Sequence, residues 1–180
     1  MTVLLPVAVP AAPVAYAPAI LSAAQRLLAH LERGERIEAP LLRTAMEAAF
    51  CASDSAGAWD WKAAYESCEV ATVLFLRKYG RALFCKSASP VARLSTLSKV
   101  AGLLPTHTRR SEESQALQQY STPVPLGLAV VTAAAISPDD VVLEPSAGTG
   151  LLAILASTAG GSLILNELAE GRADLLTSLF

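Results

Sequence analysis

Two acidic residues that follow short apolar runs, with a glycine loop between them, are the residues of this sequence best suited to chemistry. Glu144 ends the run VVLE, the loop PSAGTG follows it, and Glu167 comes directly after the run SLILN. Glycine has no Cβ, so a glycine-rich backbone can approach a bound molecule closely. A carboxylate attracts cationic groups and can accept both hydroxyls of a ribose. The spacing therefore predicts a nucleotide-type site between Glu144 and Glu167.

Three classes of ligand use a glycine loop between a strand and a helix. A loop that binds triphosphates needs a lysine and a hydroxyl residue at the helix start, and Leu151 and Leu152 stand there, which excludes this class. The segment 148–153 does fit the GxGxxA form of dinucleotide sites. The Glu144 carboxylate would repel a pyrophosphate by about one to several kcal/mol. It would attract the ammonium and sulfonium of S-adenosylmethionine, which carries no phosphate.

A strand–loop–helix arrangement is needed to bring these residues together. The runs VVLE, LLAILAS, SLILNE and LAEGRADLLTSLF predict strand, helix, strand and helix, a pattern typical of a parallel sheet with a right-handed crossover. Ahead of them, Thr122 and Pro123 predict the start of a helix that runs to about Ala135.

The residues before this part are predicted to be helical. Apolar residues at helical spacing predict one helix over 20–33, a second from about residue 40, a long third helix opened by the segment SDSAGAWDWKAAYE (53–66), and a fourth that Ser89 and Pro90 begin. Trp61 lies on the apolar stripe of the third helix and is expected in the core, whereas Trp59 is expected to be more open. The predicted organisation is an extended arm over 1–19, a helical module over 20–106, and a cofactor-binding region over 107–180.

Composition limits the possible partners. The chain has 180 residues, 53% of them apolar, and a net charge of -2, which is typical of a soluble globular protein without an overall basic field. Contact with nucleic acid would therefore need a local patch of basic residues. Arg109 and Arg110, beside His107, are candidates for contact with phosphate, although a solvated pair at a helix start explains them equally well.

Metal, disulfide and membrane chemistry are not predicted. Cys51, Cys68 and Cys85 are far apart and form no zinc spacing with the two histidines, so they are expected to be reduced core thiols of a cytoplasmic protein. The apolar N-terminal stretch has no basic start, and prolines interrupt it, which argues against an export signal or a membrane helix.

The motifs QYSTP (119–123), VLEPSAGTG (142–150) and LNE (165–167) together resemble the adenine-specific, amino-methylating DNA methyltransferases of the class I fold. The wider run TRRSEESQALQQYSTP, with GAWDWK and FLRKYG before it, is similar to the N-terminal part of large bacterial proteins that join such a domain to a strawberry-notch-like helicase. The resemblance implies an α/β fold, an incomplete Rossmann-like parallel sheet preceded by an all-helical module, with S-adenosylmethionine as cofactor.

The resemblance also implies a set of cofactor-binding residues. Thr122 and Pro123 match the element that helps to hold the methionine end, and Tyr120 and Ser121 stand where the family often has aromatic residues. Glu167 matches the acid that binds the ribose. The full set is Tyr120, Ser121, Thr122, Pro123, Glu144, Pro145, Ser146, Ala147, Gly148, Thr149, Gly150 and Glu167.

The catalytic loop of the family, an Asn or Asp followed by Pro-Pro and an aromatic residue, has no match, because the sequence contains no Pro-Pro dipeptide. That loop polarises the adenine amine and stacks on the flipped base, so no turnover is expected from this chain alone. We expect a fragment that binds the cofactor, with the remaining half of the methyltransferase or a helicase domain as partner. A non-catalytic adaptor on DNA or on a helicase, and a dinucleotide-binding oxidoreductase fragment, remain as alternatives.

Overall fold

The computed structural model describes residues 15–87, 89–106 and 120–180. Its elements in chain order are α1 (Tyr16–Glu32), α2 (Ala39–Phe50), a short 3-10 turn (Asp54–Ala56), α3 (Trp61–Lys86), α4 (Pro90–Ala101), α5 (Val124–Ala133), β1 (Val141–Glu144), α6 (Leu151–Ala159), β2 (Ser162–Leu165) and α7 (Glu170–Leu179).

Local signals account for several helix starts. The Asp60 carboxylate accepts a hydrogen bond from the backbone N–H of Ala63 at 2.8 Å and caps α3, and Ser89 caps α4 in the same way. α1 begins at Tyr16, so residues 16–19, which were expected in the extended arm, are helical. Pro18 is compatible with this start, because a proline in the first turn removes no intrahelical hydrogen bond.

The burial of the two tryptophans is the reverse of the prediction. Trp59 is buried, and its indole N–H donates a hydrogen bond to the Ala52 carbonyl at 2.9 Å. Trp61 is only half-buried and lies under the Arg43 guanidinium, 5.6 Å from the ring centroid. The prediction was wrong because the segment before α3 folds back over the core, a contact that helical periodicity does not encode.

The cysteines also differ in their surroundings. Cys68 is buried, and this burial raises the pKa of its thiol, whereas Cys51 and Cys85 are exposed. The expectation of three core thiols therefore holds for Cys68 alone.

β1 and β2 form a parallel pair, with α6 as the crossover between them. Val142 pairs with Leu163, and these two half-buried side chains pack against the core. The opposite face carries Val141, Leu143 and Ile164, which are 66%, 63% and 55% exposed. This short sheet is therefore covered on one face by the described residues.

The predicted α/β class with a Rossmann-like parallel sheet is wrong. The described chain is mostly helical (65%), and its sheet has two strands of four residues each. The prediction took the class from the β-α-β-α run and from the family resemblance, whereas the helices that precede this run supply most of the packed structure.

The helices before residue 106 and those around the sheet bury one continuous apolar core. α1 packs on α3 and α7, α3 packs on α6, and α4 and α6 pack on α5. The fully buried residues along this core include Ile20, Leu27, Leu76, Leu128, Leu155 and Leu175. As a result, α3 directly supports α6, the helix that begins where the glycine loop ends.

Two further findings concern the described ranges. None of the helices in 15–87, 89–106 and 120–180 is both long and apolar enough to cross a membrane. Within the same ranges, no three His, Cys, Asp or Glu side chains cluster in a way that would hold a metal ion.

Candidate functional site

A cavity of about 360 Å³ lies at the carboxyl ends of β1 and β2, the position where parallel sheets usually bind ligands. It is bordered by the segment before α5, the glycine loop, the turn after β2, and one side chain of α7. The lining residues are Tyr120, Ser121, Thr122, Glu144, Pro145, Ser146, Ala147, Gly148, Thr149, Leu151, Leu152, Glu167, Leu168 and Arg172. The structure thus brings together ten of the twelve residues proposed from sequence, and Pro123 and Gly150 lie outside the lining.

The two glycines of the loop serve different purposes. Gly148 and Gly150 have φ values of 58° and 89°, in the left-handed region that favours glycine. A Cβ on Gly150 would lie 2.6 Å from Cε2 of Phe180, so this glycine makes room for packing. A Cβ on Gly148 would have only the Arg172 Nη1 atom near it, at 3.9 Å. The open approach that the sequence suggested for the loop therefore exists at Gly148.

Glu167 ties the glycine loop to the turn after β2. One of its carboxylate oxygens accepts a hydrogen bond from the Gly148 N–H at 2.8 Å, and the other accepts one from the Ala169 N–H at 2.9 Å. Each carboxylate oxygen has two acceptor positions. Glu167 can therefore hold the loop in place and still accept one ligand hydroxyl at each oxygen.

Glu144 ends β1 with its side chain half-buried at the cavity. Its backbone carbonyl accepts a hydrogen bond from the Asn166 N–H at 3.0 Å, which continues the strand pairing. Within the described ranges the carboxylate itself has neither a hydrogen bond nor an ion pair. It is therefore a negative group available to a ligand.

Two buried acids of α3 reach the site from the helical region. Glu66 is 2% exposed and Glu69 is 4% exposed. The Thr149 hydroxyl donates to Glu69 at 2.7 Å, and the Arg172 Nε donates to Glu66 at 2.6 Å. α3 thus holds both the glycine loop and α7 at the cavity.

Tyr16 completes the polar cluster around Glu66, because its hydroxyl donates to the second oxygen of that carboxylate. Burial, together with the negative charge of Glu66, raises the pKa of Tyr16. Burial opposes the charge of Arg172, but the Glu66 carboxylate, together with the negative charges of Glu69 and Glu167, outweighs this effect and raises the pKa of the guanidinium. Glu66, which lies on α3, therefore accepts hydrogen bonds from Tyr16 of α1 and from Arg172 of α7, and so connects the three helices.

Sequence reasoning missed the α7 and α3 contributions to this site. Arg172 lies on the helical stripe of Leu175, Leu176 and Leu179, and a charged residue in an apolar stripe is a usable signal. Glu66 and Glu69 stand one turn apart in a run that is otherwise buried, which is a second such signal. Arg109 and Arg110, the proposed phosphate contacts, lie outside the described residues.

Comparison with known proteins identifies no relative. No protein-family model, curated protein or solved structure matches this chain. Any assignment of function therefore depends on the residues and geometry of the cavity.

Proposed function

We propose that this chain binds S-adenosylmethionine in the cavity at the ends of β1 and β2. It would do so as the N-terminal, cofactor-binding portion of an adenine-specific DNA methyltransferase-like protein of the kind joined to a helicase. The observation that carries the proposal is the Glu144 carboxylate, which has no partner among the described residues and lines the same cavity as Gly148 and Glu167. A negative group without a protein partner favours a cationic ligand.

Each feature of the cavity suits one part of this ligand. The Glu144 carboxylate would attract the ammonium and sulfonium, and the free acceptor positions of Glu167 would take the two ribose hydroxyls. Gly148 leaves the backbone open beside them. Tyr120, which is exposed at the rim, offers an aromatic face to the adenine.

The size of the cavity bears on the dinucleotide alternative. Its volume of about 360 Å³ is near the lower end of the range for ligand sites, about 300–1,000 Å³. This favours a ligand with one nucleoside over a ligand with two. Arg172 does supply a cation that a phosphate could use, so the two ligand classes need a direct comparison.

The reaction proposed for a complete protein is direct transfer of the methyl group from the sulfonium to the amine of a flipped adenine. The residues of this chain would orient the cofactor and exclude water around it, which lowers the entropic part of the barrier. The sequence contains no Asn/Asp-Pro-Pro-aromatic loop, and we therefore propose binding without turnover for this chain.

Calorimetric titration tests the assignment. We expect the chain to bind S-adenosylmethionine and not a nicotinamide dinucleotide. Glu144→Gln should weaken S-adenosylmethionine binding by about 10- to 100-fold, because it removes the charge of the acceptor and keeps its shape. Asp139→Asn is the matched control, since it removes the same charge from an exposed residue outside the cavity. Unchanged affinity in Glu144→Gln would contradict the role of Glu144, and preference for the dinucleotide would overturn the proposed function.

A second candidate function, a non-catalytic adaptor on nucleic acid, is favoured by a strong separation of charge. Residues 70–111 contain no Asp or Glu and eight Lys or Arg residues. Arg77 and Arg81 stand one turn apart and exposed on α3, and neither forms an ion pair within the described part of the chain. Their spacing suits contacts with phosphates.

Salt-dependent binding to duplex DNA tests this second candidate. If it is correct, Arg77→Ala with Arg81→Ala should reduce the slope of log affinity against log salt by about 1.8, since each phosphate contact contributes about 0.9. Arg26→Ala with Arg36→Ala, two exposed arginines elsewhere, is the matched control. Fluorescence anisotropy measures both. Equal slopes in the two double variants would exclude the α3 surface as the binding site.

A further inference from the structure

Among the described residues that line the cavity, Arg172 is the one basic side chain. The cluster around Glu66 does not use all of its donors. It is 7% exposed, and its Nε donates to Glu66. Its Nη groups have no hydrogen-bond partner among the described residues, and they are accessible to solvent. A guanidinium has five N–H donors, so most of its donor capacity remains open toward the cavity.

The position of this guanidinium is set by its neighbours. Glu66 holds the Nε, and Tyr16 holds the other oxygen of Glu66. The Nη1 atom lies beside Gly148, at 3.9 Å from the place of a Cβ. Because the side chain is fixed before a ligand arrives, little conformational entropy is lost when a ligand binds to it.

The acids around Arg172 do not occupy its free donors. Glu69 accepts from Thr149, and Glu167 accepts from two backbone N–H groups. The Nη donors of Arg172 are therefore open to a ligand, and an anionic acceptor would form charge-assisted hydrogen bonds with them. The site therefore presents a negative group, Glu144, and a positive group, Arg172, to the same ligand.

We infer that Arg172 binds the carboxylate of the ligand and makes the cavity selective for a nucleoside that carries a complete amino-acid group. The inference rests on the proposed function. S-adenosylmethionine has a single carboxylate, and an arginine fork matches a carboxylate with two parallel hydrogen bonds. Glu144 would take the cationic part of the same ligand. Arg172 is then a specificity-determining residue that sequence motifs did not indicate.

A comparison of two ligands on the unmodified chain tests the inference. Decarboxylated S-adenosylmethionine keeps the sulfonium and an ammonium and lacks the carboxylate. We expect its dissociation constant to be about 10- to 100-fold higher than that of S-adenosylmethionine in calorimetric titration. Equal dissociation constants would overturn the inference and leave the proposed function standing. If neither ligand binds, both the inference and the proposed function are overturned.

Variants of Arg172 test whether this residue causes the difference between the two dissociation constants. Arg172→Gln should bring the ratio of the two dissociation constants close to one, and Arg172→Lys, which keeps a positive charge beside Glu66, should leave an intermediate ratio. Arg36→Gln, at an exposed residue outside the cavity, should leave the ratio unchanged. Circular dichroism establishes whether each variant is folded. If Arg172→Gln does not fold, Arg172→Lys decides, and a wild-type ratio in that variant would overturn the inference.

Discussion

Replacing Glu66 with alanine is expected to lower the free energy of unfolding by about 3–5 kcal/mol. The variant leaves the Arg172 guanidinium buried without its counter-charge and leaves the Tyr16 hydroxyl without its acceptor. The loss of one partner of a buried ion pair is costly, because the remaining charge is largely removed from water and has lost the group that compensated it. Urea denaturation followed by circular dichroism measures the change.

The variant Glu32→Ala is a matched control that tests whether the loss of stability requires the ion pair to be buried. Glu32 also accepts from a cation and a tyrosine, Lys78 and Tyr79, but this cluster is exposed. Glu32→Ala should therefore change stability very little, because solvent screens the pair. A similar loss of stability in the Glu32 and Glu66 variants would contradict the role given to burial.

The origin of the Glu66 effect can be tested by removing the whole cluster. The triple variant Glu66→Leu, Arg172→Met and Tyr16→Phe replaces Glu66 and the two side chains that donate hydrogen bonds to it with apolar side chains. Lys62, whose Nζ lies 3.8 Å from Glu66 Oε1, is left in place. If the loss in Glu66→Ala comes from uncompensated polar groups, this variant should be more stable than the single one, since buried networks can often be replaced by apolar packing. A triple variant that is less stable than Glu66→Ala would show that the network itself stabilises the fold.

The second large effect is expected where α5 meets α6. Leu155 of α6 is fully buried, and its replacement by alanine should lower the free energy of unfolding by about 2–5 kcal/mol through lost burial and a cavity. The exposed Leu126 of α5 is the matched control, and Leu126→Ala should change stability by less than about 0.5 kcal/mol. Thermal and urea unfolding measure both variants.

The contact between α5 and α6 requires a residue without a Cβ at Gly127. A Cβ at this position would lie 2.8 Å from Cδ1 of Leu155, closer than carbon atoms approach. Alanine is about 1 kcal/mol better than glycine inside a helix, but overpacking costs about 1–3 kcal/mol, so Gly127→Ala should be neutral to destabilising on its own. In the Leu155→Ala background the clash is gone, and the same change should stabilise the chain. If the stability changes of Gly127→Ala and Leu155→Ala simply add in the double variant, the inferred contact between the two residues is wrong.

The helices were predictable because their causes are local. The apolar spacing, Asp60 before α3 and Ser89 before α4 act within a few residues of each other, so they can be recognised in the sequence. The order of burial predicted for the two tryptophans is wrong because Trp59 lies in the loop between α2 and α3, which folds so that the indole joins the core and donates to the Ala52 carbonyl. The fold class was wrong for a similar reason, since the helices before residue 106 share the core of the two-stranded sheet.

The sequence by itself determined the glycine loop and the two acids that flank it. Glu144, Gly148 and Glu167 lie at strand ends and in the loop between them, so the order of strand, loop and helix is sufficient to bring them to one cavity. Only the tertiary structure decided that Arg172 belongs to the same site, and that Glu66 and Glu69 of α3 support it. Those contacts join residues 80 and 106 positions apart, and they depend on how whole helices pack and which polar groups that packing buries together.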